Sequence, residues 1–384
     1  MTSPLENAYV SLFEYCRRHD FRGFDPFDGL GSPIFRSLPL SNTRIARLGF
    51  QQVIKRSPWN LRGPLRIDPG VNAKAIALFT LAEISRFRAT AGDDSRLSAS
   101  DLLKRLDAEG IREGDTLAFG YNFDWQSRAF FAAKGTPTIV PTAFAARAYC
   151  EAYEAFGEVR FLDNAAAICR FIVTRLLRPI ETAEELCFSY TPHDRSVIYN
   201  ASLLAAETLS QVGRLTANPE YIDLAARAAR FVVGRQQLDG SWKYGDDAKF
   251  GWIDNFHTAY VLESLYRIDA VANQASIRQG LDYWLDTFFL DDGAPRYFHN
   301  ETYPIDIHSA AVAVATLTSL ADFDPRALPR ATKVAEWTLQ NMRDDSEGFF
   351  YYQIRRSRTV KTPYLRWSQG WMAYALARLM EKSP

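Results

Sequence analysis

A chain of 384 residues with 47% hydrophobic content can bury a large core, and its 45 Lys plus Arg balance 45 Asp plus Glu. Zero formal net charge leaves no chain-wide footprint for nucleic acid or a membrane surface, and no apolar run approaches the ~18 residues a membrane span needs. The first twenty residues, MTSPLENAYVSLFEYCRRHD, have neither the basic start nor the apolar stretch of a secretory leader, so a cytoplasmic location is expected.

In chain order, two kinds of helical segment alternate. ENAYVSLFEYCRR is amphipathic; NAKAIALFTLAEI, from Asn72, is apolar nearly all round. RLSASDLLKRLDAEG, RFLDNAAAICRFIVTRLL, PEYIDLAARAARFVVGRQQ, NQASIRQGLDYWLDTFFL and RALPRATKVAEWTLQNMR repeat the first kind. TAFAARAYCEAYEAF from Thr142, YNASLLAAETLSQV from Tyr199, DNFHTAYVLESLYRI from Asp254, DIHSAAVAVATLTSL from Asp306 and RWSQGWMAYALARLM from Arg366 repeat the second. Helices with one wet side belong on an outer layer, and helices apolar all round belong inside. Successive starts of the apolar set lie roughly 50 to 70 residues apart, the period of a repeat holding two helices. Six such hairpins close into an all-α (α/α)6 toroid whose parallel inner helices open at one mouth. No linker or low-complexity tract interrupts the pattern, so one domain is expected over residues 1–384.

The outer segments run into turns rich in Gly and aromatics: DGSWKYGDD from Asp239, DDGAPRYFHN from Asp291, SEGFFYYQIRRS from Ser346 and, more loosely, GYNFDWQSRAFF from Gly120. These predict turns with short extended pieces at the loop ends. The stretch RAARFVVGRQQLDGSW, Arg227 to Trp242, resembles the QW motif of squalene, hopene and other terpene cyclases, where it ties α/α architecture together. A protonating cyclase needs DxDD, whereas the chain offers only Asp25 and Asp28, or Asp322 and Asp324. An ionising cyclase needs a DDxxD-type magnesium site, and the Asp pairs here fall in loops. A terpene or prenyl cyclase is therefore an alternative reading. Cys16, Cys150, Cys169 and Cys187 show no CxxC spacing. Disulfides, a zinc site and a cofactor are not expected.

The mouth is where chemistry is expected. His257 and His308 occupy near-equivalent positions in neighbouring units, each after an Asp, Asp254 or Asp306, that can cap its helix. The helix dipole disfavours the protonated imidazole there, leaving a neutral ring able to act as a base. The plainer reading is two N-caps and two packed polar side chains. Tyr199, Asn200, His193 and Arg195 come from the third unit, Asp124, Trp125 and Arg128 from the second, and Asn255, Tyr303, Arg366 and Trp367 from the last ones. Aromatic faces with fixed polar groups and Arg suit a pyranose carrying a carboxylate. Six helix N-termini add a positive local potential, ~0.3 to 1 kcal/mol per anion contact.

The helical pattern resembles the six-hairpin toroids of carbohydrate enzymes, including unsaturated glucuronyl hydrolases, alginate and heparin lyases and the helical domain of glucuronyl C5-epimerase. GYNFDWQSRAFFAAKGTPTIVPTAF and EGFFYYQIRRSRTVKTPYLRWSQGWMAYALARL resemble proteins encoded in bacterial capsule and exopolysaccharide clusters. That implies glycan biosynthesis or remodelling, with an oligo- or polysaccharide and polysaccharide-synthesis proteins as partners, but carries over no catalytic assignment. A lyase or C5-epimerase would use Asn200 or Asn255 with His257, His308 and Tyr199. A hydrolase would need two carboxyl groups ~5 to 9.5 Å apart, from Asp124, Asp194, Asp254 and Asp306. A third reading is a non-catalytic glycan-binding subunit.

Overall fold

A computed structural model describes residues 3–382. The outer layer comprises α1 (Pro4–Arg18), α5 (Asp93–Ala108), α7 (Val159–Arg175), α9 (Pro219–Val233), α11 (Gln274–Phe288) and α13 (Ala327–Asn341), with α2 (Pro33–Arg36) and α3 (Arg44–Arg56) inserted after α1. The inner layer comprises α4 (Ala73–Thr90), α6 (Ile139–Phe156), α8 (Tyr199–Thr216), α10 (Asn255–Asp269), α12 (Ile307–Ser319) and α14 (Trp371–Lys382). Each inner helix packs on the next, and α14 returns to α4, so the inner ring is closed. The inner helices are buried almost throughout, whereas the outer ones bury a single stripe, as in α9, where Leu224, Ala225, Ala228, Ala229, Phe231 and Val232 face in. The many alanines of the inner set let neighbouring helices approach closely.

Three left-handed glycines show how the outer ring is stitched. Gly240, Gly293 and Gly348 have φ of +93°, +101° and +86°, in the turns that follow α9, α11 and α13. A Cβ on them would lie 2.5, 2.7 and 2.7 Å from the carbonyl oxygens of Gln279 in α11, Lys333 in α13 and Ser11 in α1, respectively. Glycine is required on both counts, conformation and space. The third contact makes α1 the outer helix after α13, so the two ends of the chain close the sixth hairpin, α14 with α1.

Helix starts follow local chemistry. Asn72, Asp254 and Asp306 cap α4, α10 and α12 with side-chain oxygens, each cap contributing ~1 kcal/mol. The sequence places the second inner helix at Thr142; it begins earlier, at Ile139, because Pro141 sits in the first turn, where no intrahelical N–H is lost. The sixth inner element also differs: Leu365–Gly370 forms a π turn before α14, a widened geometry often found at functional sites. Short strands appear at loop ends, as expected. Trp125–Gln126 pairs with Phe131–Ala132, and Ile305–Asp306 joins a three-stranded sheet with Gln353–Arg355 and Arg358–Val360. No helix among the described residues is long and apolar enough to cross a membrane.

Candidate active site

A cavity of about 840 Å³ opens at the N-terminal end of the inner ring, a size typical of small-ligand sites. Every inner unit contributes to it: Lys74 from α4, Val140 from α6, Asn200 from α8, His257 and Tyr260 from α10, His308 from α12, and Arg366 and Trp367 from the π turn. Tyr121, Trp125, Phe130, Tyr190, Tyr244, Trp252, Phe256, Tyr297 and Tyr303 make its walls mostly aromatic. Helix α3 lies across the rim and supplies Gln51, Gln52 and Lys55.

His257 is held by its own helix cap. One oxygen of Asp254 accepts the backbone N–H of His257 at 3.0 Å; the other accepts its Nδ1–H at 2.7 Å and Trp252 Nε1–H at 2.9 Å. A carboxylate against Nδ1 fixes the tautomer with the lone pair on Nε2. The imidazole is 20% exposed, lies on Tyr244 with ring centroids 4.4 Å apart, and has no recorded Nε2 partner among the described residues. The result is an imidazole oriented by a carboxylate at the cavity wall.

His308 is different. Its Nδ1 meets the Trp367 carbonyl at 3.1 Å, which only an N–H can satisfy, so Nε2 accepts the Tyr260 hydroxyl at 3.1 Å. The ring stacks on Trp367 at 4.0 Å. Burial, then the nearby Lys74 charge, pushes its pKa well below the usual histidine value. His308 is a neutral acceptor that orients Tyr260. Lys74 Nζ donates to the same Tyr260 oxygen at 3.2 Å.

Nine of the residues singled out in the sequence line this cavity: Asp254, His257, His308, Asn200, Trp125, Arg128, Tyr303, Arg366 and Trp367. Six are placed elsewhere. Asp306 is fully buried, its oxygens taken by Gln353 Nε2 at 2.5 Å, Trp367 Nε1 at 2.8 Å and the His308 backbone N–H at 2.8 Å. It braces the wall from behind, and burial raises its pKa to about 6. Tyr199 turns away from the cavity and donates to Asp246 at 2.7 Å. Asn255 points back to the outer layer, donating to the Arg296 carbonyl and accepting Trp284 Nε1–H, both at 2.9 Å. Asp124 is tied to Arg36 at 3.0 Å and to the Lys134 backbone N–H at 2.7 Å, while His193 and Arg195 are exposed on a turn that does not reach the cavity. Nearness in sequence to a helix start does not bring them to the cavity, because partners outside it claim Asp306, Tyr199, Asn255 and Asp124 and an exposed turn carries His193 and Arg195.

Arg366 lines the cavity but is not a free cation: Asp25 grips it at 2.6 and 2.8 Å. Asp28 likewise holds Arg62 at 2.9 Å. Asp25 and Asp28, the first pair that a cyclase reading would draw on, are thus held by guanidinium groups, and the second pair, Asp322 and Asp324, meets Lys382 and Arg326. Among the lining residues Asp254 is the one carboxylate, against Lys55, Arg56, Lys74, Arg128, Arg355, Arg358 and Arg366. Lys55 lies over the Phe27 ring at 4.2 Å and the Trp367 ring at 5.6 Å; burial lowers its pKa to about 8. Arg128 lies over Trp252 at 4.8 Å. No group of three or more His, Cys, Asp or Glu among the described residues is arranged to hold a metal ion.

Sequence reading missed Lys74, Tyr260, Tyr244, Trp252 and the whole of α3. Two signals were present. Lys74 is a lone charge in the middle of an apolar helix start, and between Asp28 and Asp68 the chain has seven Lys and Arg and no acidic residue, with Thr43 as a cap for α3.

No family model matches the chain, and no curated protein matches it in sequence. Its backbone is similar to solved α/α toroids. Cellobiose 2-epimerase from Bacillus thermoamylovorans B4167 superposes with a TM-score of 0.63 at 12% identity, over 83% of this chain and 90% of that one. A family 76 glycoside hydrolase from a bovine Bacteroides thetaiotaomicron strain gives 0.65 at 11% identity, over 98% and 78%. An unsaturated glucuronyl hydrolase specific for heparin gives 0.57 at 13% identity, over 80% and 85%. At such identities the likeness establishes the fold, the (α/α) toroid.

Proposed function

We propose that this protein is a carbohydrate-active enzyme that moves a proton at a carbon next to the carbonyl or carboxylate of an anionic saccharide, as an epimerase or a lyase. The observation that carries the reading is the Asp254–His257 pair, an imidazole that lines the cavity with its Nδ1 held by a carboxylate, which leaves Nε2 as the basic nitrogen. Such a base abstracts the proton; Tyr260, three residues on in the same helix and hydrogen-bonded to His308 and Lys74, is the acid beside it. General acid–base groups so placed contribute about 10² to 10⁴ in rate.

Hydrolysis by paired carboxyl groups fits less well. It needs a second carboxylate ~5 to 9.5 Å from the first, and Asp254 has no such partner among the lining residues. The excess of cations over carboxylates, added to six helix N-termini, favours a negatively charged sugar such as a uronate. The cellobiose 2-epimerase and unsaturated glucuronyl hydrolase with the same fold act on saccharides, in keeping with this reading. The proposal extends to a role in bacterial polysaccharide biosynthesis or remodelling in the cytoplasm, which only the resemblance of the sequence stretches quoted above supports.

The test is incubation with uronate-containing oligosaccharides in deuterated water. Deuterium at the carbon next to the carboxylate or carbonyl, with or without a new enone absorbance, supports proton transfer, the enone marking a lyase. New reducing ends with neither signal mean hydrolysis and overturn the reading. Binding with no turnover means a glycan clamp.

A further inference from the structure

Two buried cations line the cavity, Lys74 and Arg366, and among the described residues only Arg366 has a carboxylate partner. Lys74 is 2% exposed, yet it touches the cavity floor. Arg147, Arg62 and Arg366 are equally buried, and each meets a carboxylate within 3.2 Å. Lys74 meets none. Its Nζ has the Tyr260 hydroxyl at 3.2 Å and aromatic faces at 4.1 Å (Phe144) and 5.1 Å (Trp371). A lone buried ammonium is costly, and a lysine desolvated in an apolar pocket beside other cations has the features of an amine nucleophile toward carbonyl groups.

From this placement we infer that Lys74 forms a reversible imine with the open-chain aldehyde at the reducing end of the bound saccharide. The neutral amine attacks the carbonyl carbon, a C–N bond forms and the carbonyl oxygen leaves as water, its second proton supplied through Tyr260. Nitrogen keeps its other proton, so the C=N bond forms as an iminium, which withdraws electrons from the neighbouring carbon and acidifies its C–H. His257 shares the Tyr260 wall, their ring centroids 6.3 Å apart, so the activated C–H falls to the base already described. The inference deepens the proton-transfer reading and rests on it: it names the reacting carbon as the one next to the reducing-end carbonyl. Burial first, then Arg366 and Arg147, depresses the Lys74 pKa well below the usual lysine value, which favours the neutral amine.

The chain's nine lysines allow a complete map. The protein is treated with sodium cyanoborohydride and either glycolaldehyde, the smallest hydroxyaldehyde, or D-glucuronate, then digested and weighed peptide by peptide; methyl β-D-glucuronide, which cannot open, is the control. Lys74 is expected to be alkylated at least tenfold faster than any other lysine by both aldehydes, not by the glycoside, and the adduct to vanish in Lys74→Arg. Labelling that favours Lys55 or the surface lysines, or leaves Lys74 unmodified by glycolaldehyde, overturns the imine. Deuterium exchange run on the same samples separates the two ideas. Exchange that persists in Lys74→Arg leaves the proton-transfer reading standing without the imine. A Lys74 adduct in a protein that exchanges no proton retains the nucleophile and removes the base.

Discussion

The two ends of the ring axis bury charge in opposite ways. Toward the C-terminal ends of the inner helices, Arg147 of α6 meets Glu207 of α8 at 2.6 Å and Glu263 of α10 at 3.2 Å. Arg267 meets Glu263 at 3.1 Å and Glu151 at 3.5 Å, and Glu151 also pairs with Arg88 of α4. Ser264 and Thr316 complete the carboxylate oxygens. Burial alone would raise the Glu263 pKa, but Arg147 and Arg267 hold it down to about 2. At the mouth the same helices present Lys74, His308 and Tyr260 with no carboxylate among them, and Lys55 with aromatic faces for neighbours. A network whose groups are all matched seals the axis and fixes which helices are neighbours; an unmatched set leaves polar groups with capacity to spare for a ligand. Burial of charge by itself therefore marks neither structure nor function. Pairing does.

The largest expected effect breaks the matched end. Glu263→Ala leaves Arg147 and Arg267 short of a counter-charge and should lower unfolding stability by about 3–5 kcal/mol, read as a shifted denaturant midpoint; a change below about 1 kcal/mol would make the network incidental. Next comes the mouth: His257→Ala should cost about 10² to 10⁴ in turnover while leaving the midpoint almost unmoved, because its ring is partly exposed and only its Asp254 bond is lost.

Lys74→Met sharpens the contrast from the other side. Removing a lone buried amine should raise stability at neutral pH by ~1–3 kcal/mol and lower activity. Its pH dependence has a definite sign. With the folded-state pKa depressed, the unfolded chain binds more protons between that value and 10.5, so wild-type stability should rise with pH through this window. Lys74→Met should lose that slope. The smallest effect is at the rim, where Arg128→Ala should weaken binding of a uronate oligosaccharide by about 0.5–1 kcal/mol, with less salt dependence than the parent, measured by calorimetry at two ionic strengths.

The ring was legible because its signals are local and repeated. Asn72, Asp254 and Asp306 are caps whose residue types announce a helix start, and twelve segments keep one of two burial patterns. The site was half legible. His257 and Asp254 share one helical turn, so their contact follows from spacing alone. Asp306 and Asn255 occupy equivalent or adjacent cap positions and yet serve the wall and the outer layer, because Gln353 and Trp284, brought in from distant segments, claim them first. Tyr199 and Asp124 are diverted by Asp246 and Arg36 in the same way. Lys74 and α3 leave local signals in the sequence, but their place at the cavity, like that of Tyr260, depends on packing across the ring. The QW-like stretch has a structural use here: Gln236 donates to the Ser276 carbonyl and accepts its hydroxyl, tying the end of α9 to the first turn of α11.

The most direct test of the account is solvent-deuterium incorporation into a reducing, uronate-containing oligosaccharide, followed by NMR, with wild-type protein and His257→Ala compared at equal, verified folding. Incorporation at a single carbon next to a carbonyl or carboxylate, at least a hundredfold slower in the variant, is the predicted result. Equal incorporation by both proteins would contradict the assignment of His257 as the base at the mouth of the ring.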